Sequence, residues 1–257
     1  MPEQADTVSW IDVRKRFPDG HEAVAGVTLH AAEGRVLALL GTSGSGKTTL
    51  LKMVNRLIEP TAGEVRVGGR PTAEWDPIAL RRAVGYVIQE TGLMPHLDVL
   101  ANVALPLRLN GVSRERREAA GRAALELVGL PPDRFAALRP RQLSGGQRQR
   151  VGVARALVSE PRLLLMDEPF GALDPITRRE LQGEFRALQR RTGTTVVLVT
   201  HDIREAARLA DRVAILDSGR VAQEGPFAEL LARPASPFVA SFLADARDVR
   251  EDGEGAA

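Results

Sequence analysis

The run Gly41-Thr-Ser-Gly-Ser-Gly-Lys47-Thr48 constrains this chain more than any other stretch, because its form G-x-x-x-x-G-K-[ST] needs a strand before it and a helix after it. Both are supplied: an apolar run from Val36 to Leu40 precedes the loop, and a helix-like run from Thr49 to Leu57 follows. In such a loop the glycines let successive backbone N–H groups turn inward around phosphate oxygens, and the positive end of the following helix adds to the attraction. Gly41, Ser43, Gly44, Ser45, Gly46 and Thr49 are expected at the phosphates, with Lys47 as a compact cation. Thr48 offers a hydroxyl to Mg²⁺, which prefers oxygen ligands in octahedral geometry. The plainer reading is a Gly/Ser-rich turn between a strand and a helix.

Two later motifs bear on the same chemistry. Leu163-Leu-Leu-Met166 reads as a buried strand ending in Asp167-Glu168, and a carboxylate at such a strand end can meet a Mg²⁺ held by a phosphate loop. Asp167 is the expected metal ligand. Glu168, one residue on, is placed to polarise the water that attacks a γ-phosphorus, as general base. Asp-Glu-Pro would also suit a turn or a helix start. Leu143-Ser-Gly-Gly-Gln147 opens a helix-like run from Gln147 to Val158 whose first N–H groups would favour an anion, although Ser144 could equally be an ordinary N-cap.

With the P-loop, Leu143-Ser-Gly-Gly-Gln147, Leu-Leu-Leu-Met-Asp167-Glu168-Pro, Ala172-Leu-Asp174 and His201 in that order, the chain resembles ABC-type ATPase subunits from about Val8 to Leu243. The resemblance implies ATP and Mg²⁺ as ligands. It also implies that Ser144, Gly145, Gly146 and Gln147 of one copy close over ATP held by the P-loop of a second copy. Gln89, after the strand-like Val84 to Ile88, is then the amide that reaches the metal and the water and senses a membrane partner. His201, after Thr195 to Thr200, is the switch histidine near the γ-phosphate; Asp174 lies in the loop that crosses the dimer. Phe17, in Arg14-Lys-Arg-Phe17-Pro-Asp-Gly20, takes the place of the ring stacked on adenine, which a Phe face can do. Each of these four has a bland reading as a surface, turn or packing residue.

Met166 to Arg178, together with Thr91 to His96, is similar to the ATPase subunits of bacterial importers for glycine betaine, choline and related osmoprotectants. Many members of that group carry paired CBS domains after the ATPase core, and this chain ends where they would begin, so gating through such domains is not expected. The implied partners are a second copy, transmembrane permease subunits and, through them, a periplasmic or lipid-anchored substrate-binding protein. The implied place is the cytoplasmic face of the bacterial inner membrane, as a peripheral subunit. The alternatives are an importer subunit for another small solute such as an amino acid, a non-transport ABC-type ATPase, or a regulatory ATP-binding module. Intact Glu168 and His201 speak against the last.

Composition narrows the rest. The chain has 257 residues, 44% of them hydrophobic, enough to bury a core. It has no Cys and four scattered His, so any metal should be bound through oxygen. The net charge is +2, and basic groups such as Arg114-Glu-Arg-Arg117 alternate with Glu instead of forming a single-sign stripe with aromatics, which argues against a nucleic-acid partner. No apolar run approaches the roughly 18 residues of a membrane span, and the N-terminus lacks a signal-peptide layout. Short strands are expected at Val8 to Val13, Val24 to Leu29, Val36 to Leu40 and Glu64 to Val67. Pro95 to Leu130 has helical periodicity, with Ser113 as a cap and Ala120, Ala124, Leu127 and Val128 on one face. After Leu163, strands alternate with helices. The expected fold is α/β: a P-loop NTPase core with a mostly parallel sheet, an N-terminal antiparallel β-subdomain and an inserted helical subdomain at about residues 91–155, within an ATPase domain of residues 1–245. Residues 246–257 are expected to form a disordered tail.

Overall fold

The computed structural model describes residues 6–88, 92–171 and 173–244. The chain opens with β1 (Asp6–Arg16), β2 (Glu22–Ala32), β3 (Val36–Gly41), α1 (Lys47–Val54), β4 (Ala62–Val67) and β5 (Arg70–Pro71). It continues through α2 (Pro77–Ala83), β6 (Val84–Val87), α3 (Val99–Val103), α4 (Leu105–Leu109), α5 (Arg114–Leu127), α6 (Pro132–Phe135), α7 (Gly145–Leu157), β7 (Leu163–Asp167) and α8 (Pro175–Thr192). Last come β8 (Thr195–Thr200), α9 (Ile203–Leu209), β9 (Arg212–Asp217), β10 (Arg220–Gly225), α10 (Phe227–Ala232) and α11 (Pro237–Phe242). These elements form two compact units, one made of the residues up to Trp75 with those from Val196 onward, the other of Asp76–Thr195.

In the first unit β3 runs parallel to both of its neighbours, pairing Leu40 with Thr200 of β8 and with Ile215 of β9. Every residue of β3 and β8 is buried, as strands covered on both faces require. β10 returns antiparallel to β9. A second, antiparallel sheet in the order β2-β1-β4-β5 holds the N-terminal residues. Its inward positions Val8, Trp10 and Val13 are buried. Trp10 Nε1 donates to the Leu50 carbonyl at 3.2 Å, fastening this sheet to α1. The second unit pairs β6 with β7 in parallel, Tyr86 beside Leu165, and carries helices α2 to α8. Parallel strands with helices, and an antiparallel N-terminal sheet, are the fold class read from the sequence.

Local differences have local causes. α1 stops at Val54, short of Leu57, because Arg56 takes a left-handed φ of 54°. Arg56 N then donates to Met53 O at 3.1 Å and Leu57 N to Lys52 O at 2.9 Å, a Schellman closure with Arg where Gly is usual. Ser113 stands at the N-cap of α5 but its side chain makes no cap bond. The backbone bond from Arg117 N to Ser113 O, 3.0 Å, closes that turn instead. The expected apolar face of α5 is centred on Gly121 and Leu125, with Ala124 buried beside them.

Candidate nucleotide-binding site

The P-loop leaves β3 at Gly41, where an added Cβ would stand 2.3 Å from the Leu216 carbonyl oxygen, so no side chain fits between β3 and β9. Gly46, the N-cap of α1, has φ 97°, and a Cβ there would lie 2.4 Å from Ala23 O. Both glycines are therefore fixed by neighbouring backbone as well as by the turn. α1 has no side-chain cap and no acidic residue in its first turn, so its first N–H groups and its positive end suit an anion. Lys47 is buried, with Nζ 2.9 Å from Gly41 O, 2.7 Å from Thr42 O and 3.3 Å from Ser45 Oγ. The ammonium is held at the centre of the loop. Ser43 and Gly44 are exposed at its rim, Ser45 is buried, and Thr48 and Thr49 are half-buried on the first turn of α1. The structure thus folds Gly41 to Ser45 around the Lys47 ammonium, with Thr48 and Thr49 following on α1.

His201 follows β8 directly, and because Leu40 pairs with Thr200, it emerges beside the start of the P-loop. Its side chain is exposed. Phe17 lies at the β1–β2 turn, half-buried, with its backbone N–H donating to His21 O at 2.8 Å. Its ring is parallel to that of His21, centroids 6.4 Å apart, and Lys15 Nζ sits 5.3 Å from the ring centre. It borders an open cleft with Arg14, Arg16 and Thr61, and is no core residue.

In the second unit β7 is buried along its length and ends at Asp167, 8% exposed. Burial, and next the negative charge of Asp167, push the Tyr86 hydroxyl up to about 12. Glu168 has φ 45°, a left-handed conformation unusual for Glu and more so before Pro169. It is half-buried, and its carbonyl accepts from Gly171 N at 3.3 Å. Arg178 holds the following loop from α8, donating to Gly171 O at 3.3 Å and to Leu173 O at 2.9 Å.

Asp174 caps α8, accepting from Ile176 N at 3.2 Å and Thr177 N at 3.0 Å. The Thr177 hydroxyl and these N–H groups hold its carboxyl below the usual range. At α7, Ser144 Oγ accepts from Gln147 N and Gln147 Oε1 accepts from Ser144 N, a capping box. The plain reading of Ser144 as an N-cap is thus true of the structure, without conflict with a ligand role, since its hydroxyl keeps its proton to donate; Asp174, read plainly as a turn residue, is a helix cap instead. A Cβ on Gly146 would stand 2.9 Å from Thr177 Cγ2, so the start of α7 lies against the start of α8. Gln89, expected to reach metal and water, lies outside the described residues.

Oxygen donors are what the candidate metal residues offer, a hydroxyl at Thr48 and a carboxylate at Asp167, and that chemistry suits Mg²⁺. Among the described residues no three His, Cys, Asp or Glu side chains cluster as a metal site. Likewise among the described residues, no helix is long and apolar enough to cross a membrane. Sequence reading passed over Tyr86, Arg178 and the pair Thr200 and Glu205. A Thr closing a β-branched strand five residues before a Glu was the only signal available for the last.

Residues 24–171 match the family described as ABC transporter. The chain is 48% identical over 238 residues to the glycine betaine/carnitine/choline transport ATP-binding protein OpuCA of Bacillus subtilis, covering 91% of this chain and 62% of that one. It is also 48% identical over 239 residues to the glycine betaine uptake system ATP-binding protein YehX of Escherichia coli, covering 92% of this chain and 76% of YehX. Among solved structures, a dimeric post-hydrolysis state of the ATP-binding cassette MJ0796 bound to ADP and Pi matches with a TM-score of 0.77 at 37% identity, over 86% of this chain and 98% of that one. A P-loop closed by neighbouring backbone, a buried strand ending in Asp167 just before Glu168, and the reciprocal cap of Ser144 and Gln147 on α7 agree with these likenesses, and the chain belongs to the ABC transporter family.

Proposed function

We propose that this chain is the ATP-hydrolysing subunit of a bacterial importer for glycine betaine, choline or related osmoprotectants. The observation that carries the ATPase reading is the presence, on one chain, of two helix starts with no acidic residue in the first turn, as a phosphate would need: α1 behind the P-loop and α7 behind Ser144. The solute class is carried by the 48% identity to OpuCA and YehX, whose names state glycine betaine.

In this reading Lys47 and the N–H groups from Gly44 to Thr49 hold the β- and γ-phosphates, and Phe17 stacks on adenine. Thr48, Asp167 and Gln89 would hold Mg²⁺, which when bound would neutralise charge developing on the phosphate oxygens. Glu168 takes the proton of the attacking water, and His201 donates toward the γ-phosphate. Ser144, Gly145, Gly146 and Gln147 come from a second copy, and Asp174 lies at the border of the two. The transported solute touches other chains: permease subunits bind the ATPase dimer at the cytoplasmic face of the membrane, and a substrate-binding protein delivers the solute to them.

The test is reconstitution. The chain, purified with the permease and binding proteins encoded beside it, should hydrolyse ATP with Mg²⁺ and drive uptake of radiolabelled glycine betaine or choline. ATP hydrolysis without uptake of either, in an assembly that imports an amino acid, would favour the alternative of another small solute.

A further inference from the structure

A buried polar pair that no role above uses lies beside the P-loop strand: Thr200 and Glu205, 1% and 3% exposed. The Thr200 hydroxyl donates to Glu205 Oε2 at 2.9 Å and accepts from Asp202 N at 3.0 Å. Asp202 Oδ1 in turn accepts from Arg204 N and Glu205 N, at 2.8 and 3.2 Å, so Asp202 caps α9. Burying a carboxylate is costly, and an apolar side chain of similar size would often serve stability as well. What the carboxylate adds is direction. A hydroxyl has one proton, and committing it to Glu205 turns the oxygen's lone pairs toward Asp202 N. The peptide that follows residue 201 is then tied back to the side chain of Thr200, the residue that precedes it. Ala206, one residue beyond Glu205, packs in the same cluster as Leu40, so this knot is registered against the strand that carries the P-loop.

We infer that Thr200 and Glu205 are positioning residues that set the direction of His201 toward the phosphate loop. The inference deepens the proposed function, resting on it only for the role of His201 in hydrolysis.

The test uses Thr200→Val and Glu205→Ala with the conservative variants Thr200→Ser and Glu205→Gln, which keep a hydroxyl and an acceptor. In protein carrying ¹³C-labelled histidine, the His201 ring resonance is identified by its loss in His201→Ala, and the other three histidines serve as internal controls. Thr200→Val and Glu205→Ala should shift or split that resonance alone. ATP turnover should fall tenfold or more with KM within twofold, and the conservative variants should restore both readouts. An unmoved His201 resonance in both disruptive variants, or equal movement of all four histidines, overturns the inference. A moved resonance with parental turnover upholds the positioning and removes His201 from hydrolysis, an outcome that His201→Ala checks directly. Should Glu205→Ala fail to fold, Thr200→Val, which keeps volume and branching, decides.

Discussion

Ser144 and Gln147 cap one another: Gln147 N donates to Ser144 Oγ at 3.2 Å, and Ser144 N donates to Gln147 Oε1 at 2.9 Å. Each side chain has spent an acceptor on its own helix, which leaves the Ser144 O–H and the Gln147 amide protons as donors. That polarity suits a phosphate. Ser144→Asp should keep the cap, since Asp is as good an N-cap as Ser, while placing a negative charge where the phosphate would stand. Hydrolysis should be lost with the melting temperature close to the parent. Ser144→Ala should instead cost about 1 kcal/mol of stability. Parallel ATPase assays and thermal melts check both outcomes.

The composite site has its own test. Lys47→Ala and Ser144→Arg should each disable hydrolysis, and dimers mixed from the two variants should regain one intact site. Activity in the mixture no greater than in either variant alone would mean that each chain completes its own site.

Glu168→Gln should keep ATP binding but lower turnover by about 10²- to 10⁴-fold, the range for removing a general acid or base. Nucleotide affinity measured beside steady-state hydrolysis separates this from a loss of binding. A variant within twofold of the parent would remove Glu168 from the mechanism.

Tyr86 is the only tyrosine in the chain, so its ionisation can be followed directly by absorbance near 295 nm after a rapid pH jump. The midpoint should lie near 12, raised by burial and then by the Asp167 charge. Asp167→Asn should lower it, and so should Mg²⁺ held at Asp167. The sign for stability follows: a raised folded value leaves stability intact below the ordinary tyrosine value of about 10 and erodes it as pH climbs from there toward 12. An unchanged midpoint in Asp167→Asn would mean that burial alone is responsible.

Met94, 40% exposed, has its backbone N–H and C=O bound by the buried Asn102 side chain, at 2.7 and 3.1 Å. Asn102 therefore fixes this segment while the Met94 side chain stays at the surface, where a flexible thioether can meet a partner. Met94→Asp should leave folding and ATP affinity near the parent but weaken co-purification with permease subunits. Unfolding of the isolated variant would make the residue part of the core.

Much of this site is readable because its chemistry is local. The P-loop glycines, the run from Leu163 to Glu168 and the cap at Ser144 each lie within a few consecutive residues, where spacing dictates backbone direction. Trp10 and Leu50, or Gly46 and Ala23, meet only through the fold, and no periodicity announces them. α1 ends early because Arg56 tolerates a left-handed turn that composition would have assigned to a glycine. Ser113 shows the converse: the right residue at an N-cap position, with the bond made by backbone instead.

The left-handed φ of 45° at Glu168, ahead of a proline, stores on the order of 1–3 kcal/mol in one residue. Glycine or asparagine would relax there at little cost. A library at position 168 screened only for heat resistance should therefore enrich those two residues, while the same library screened for turnover should discard them.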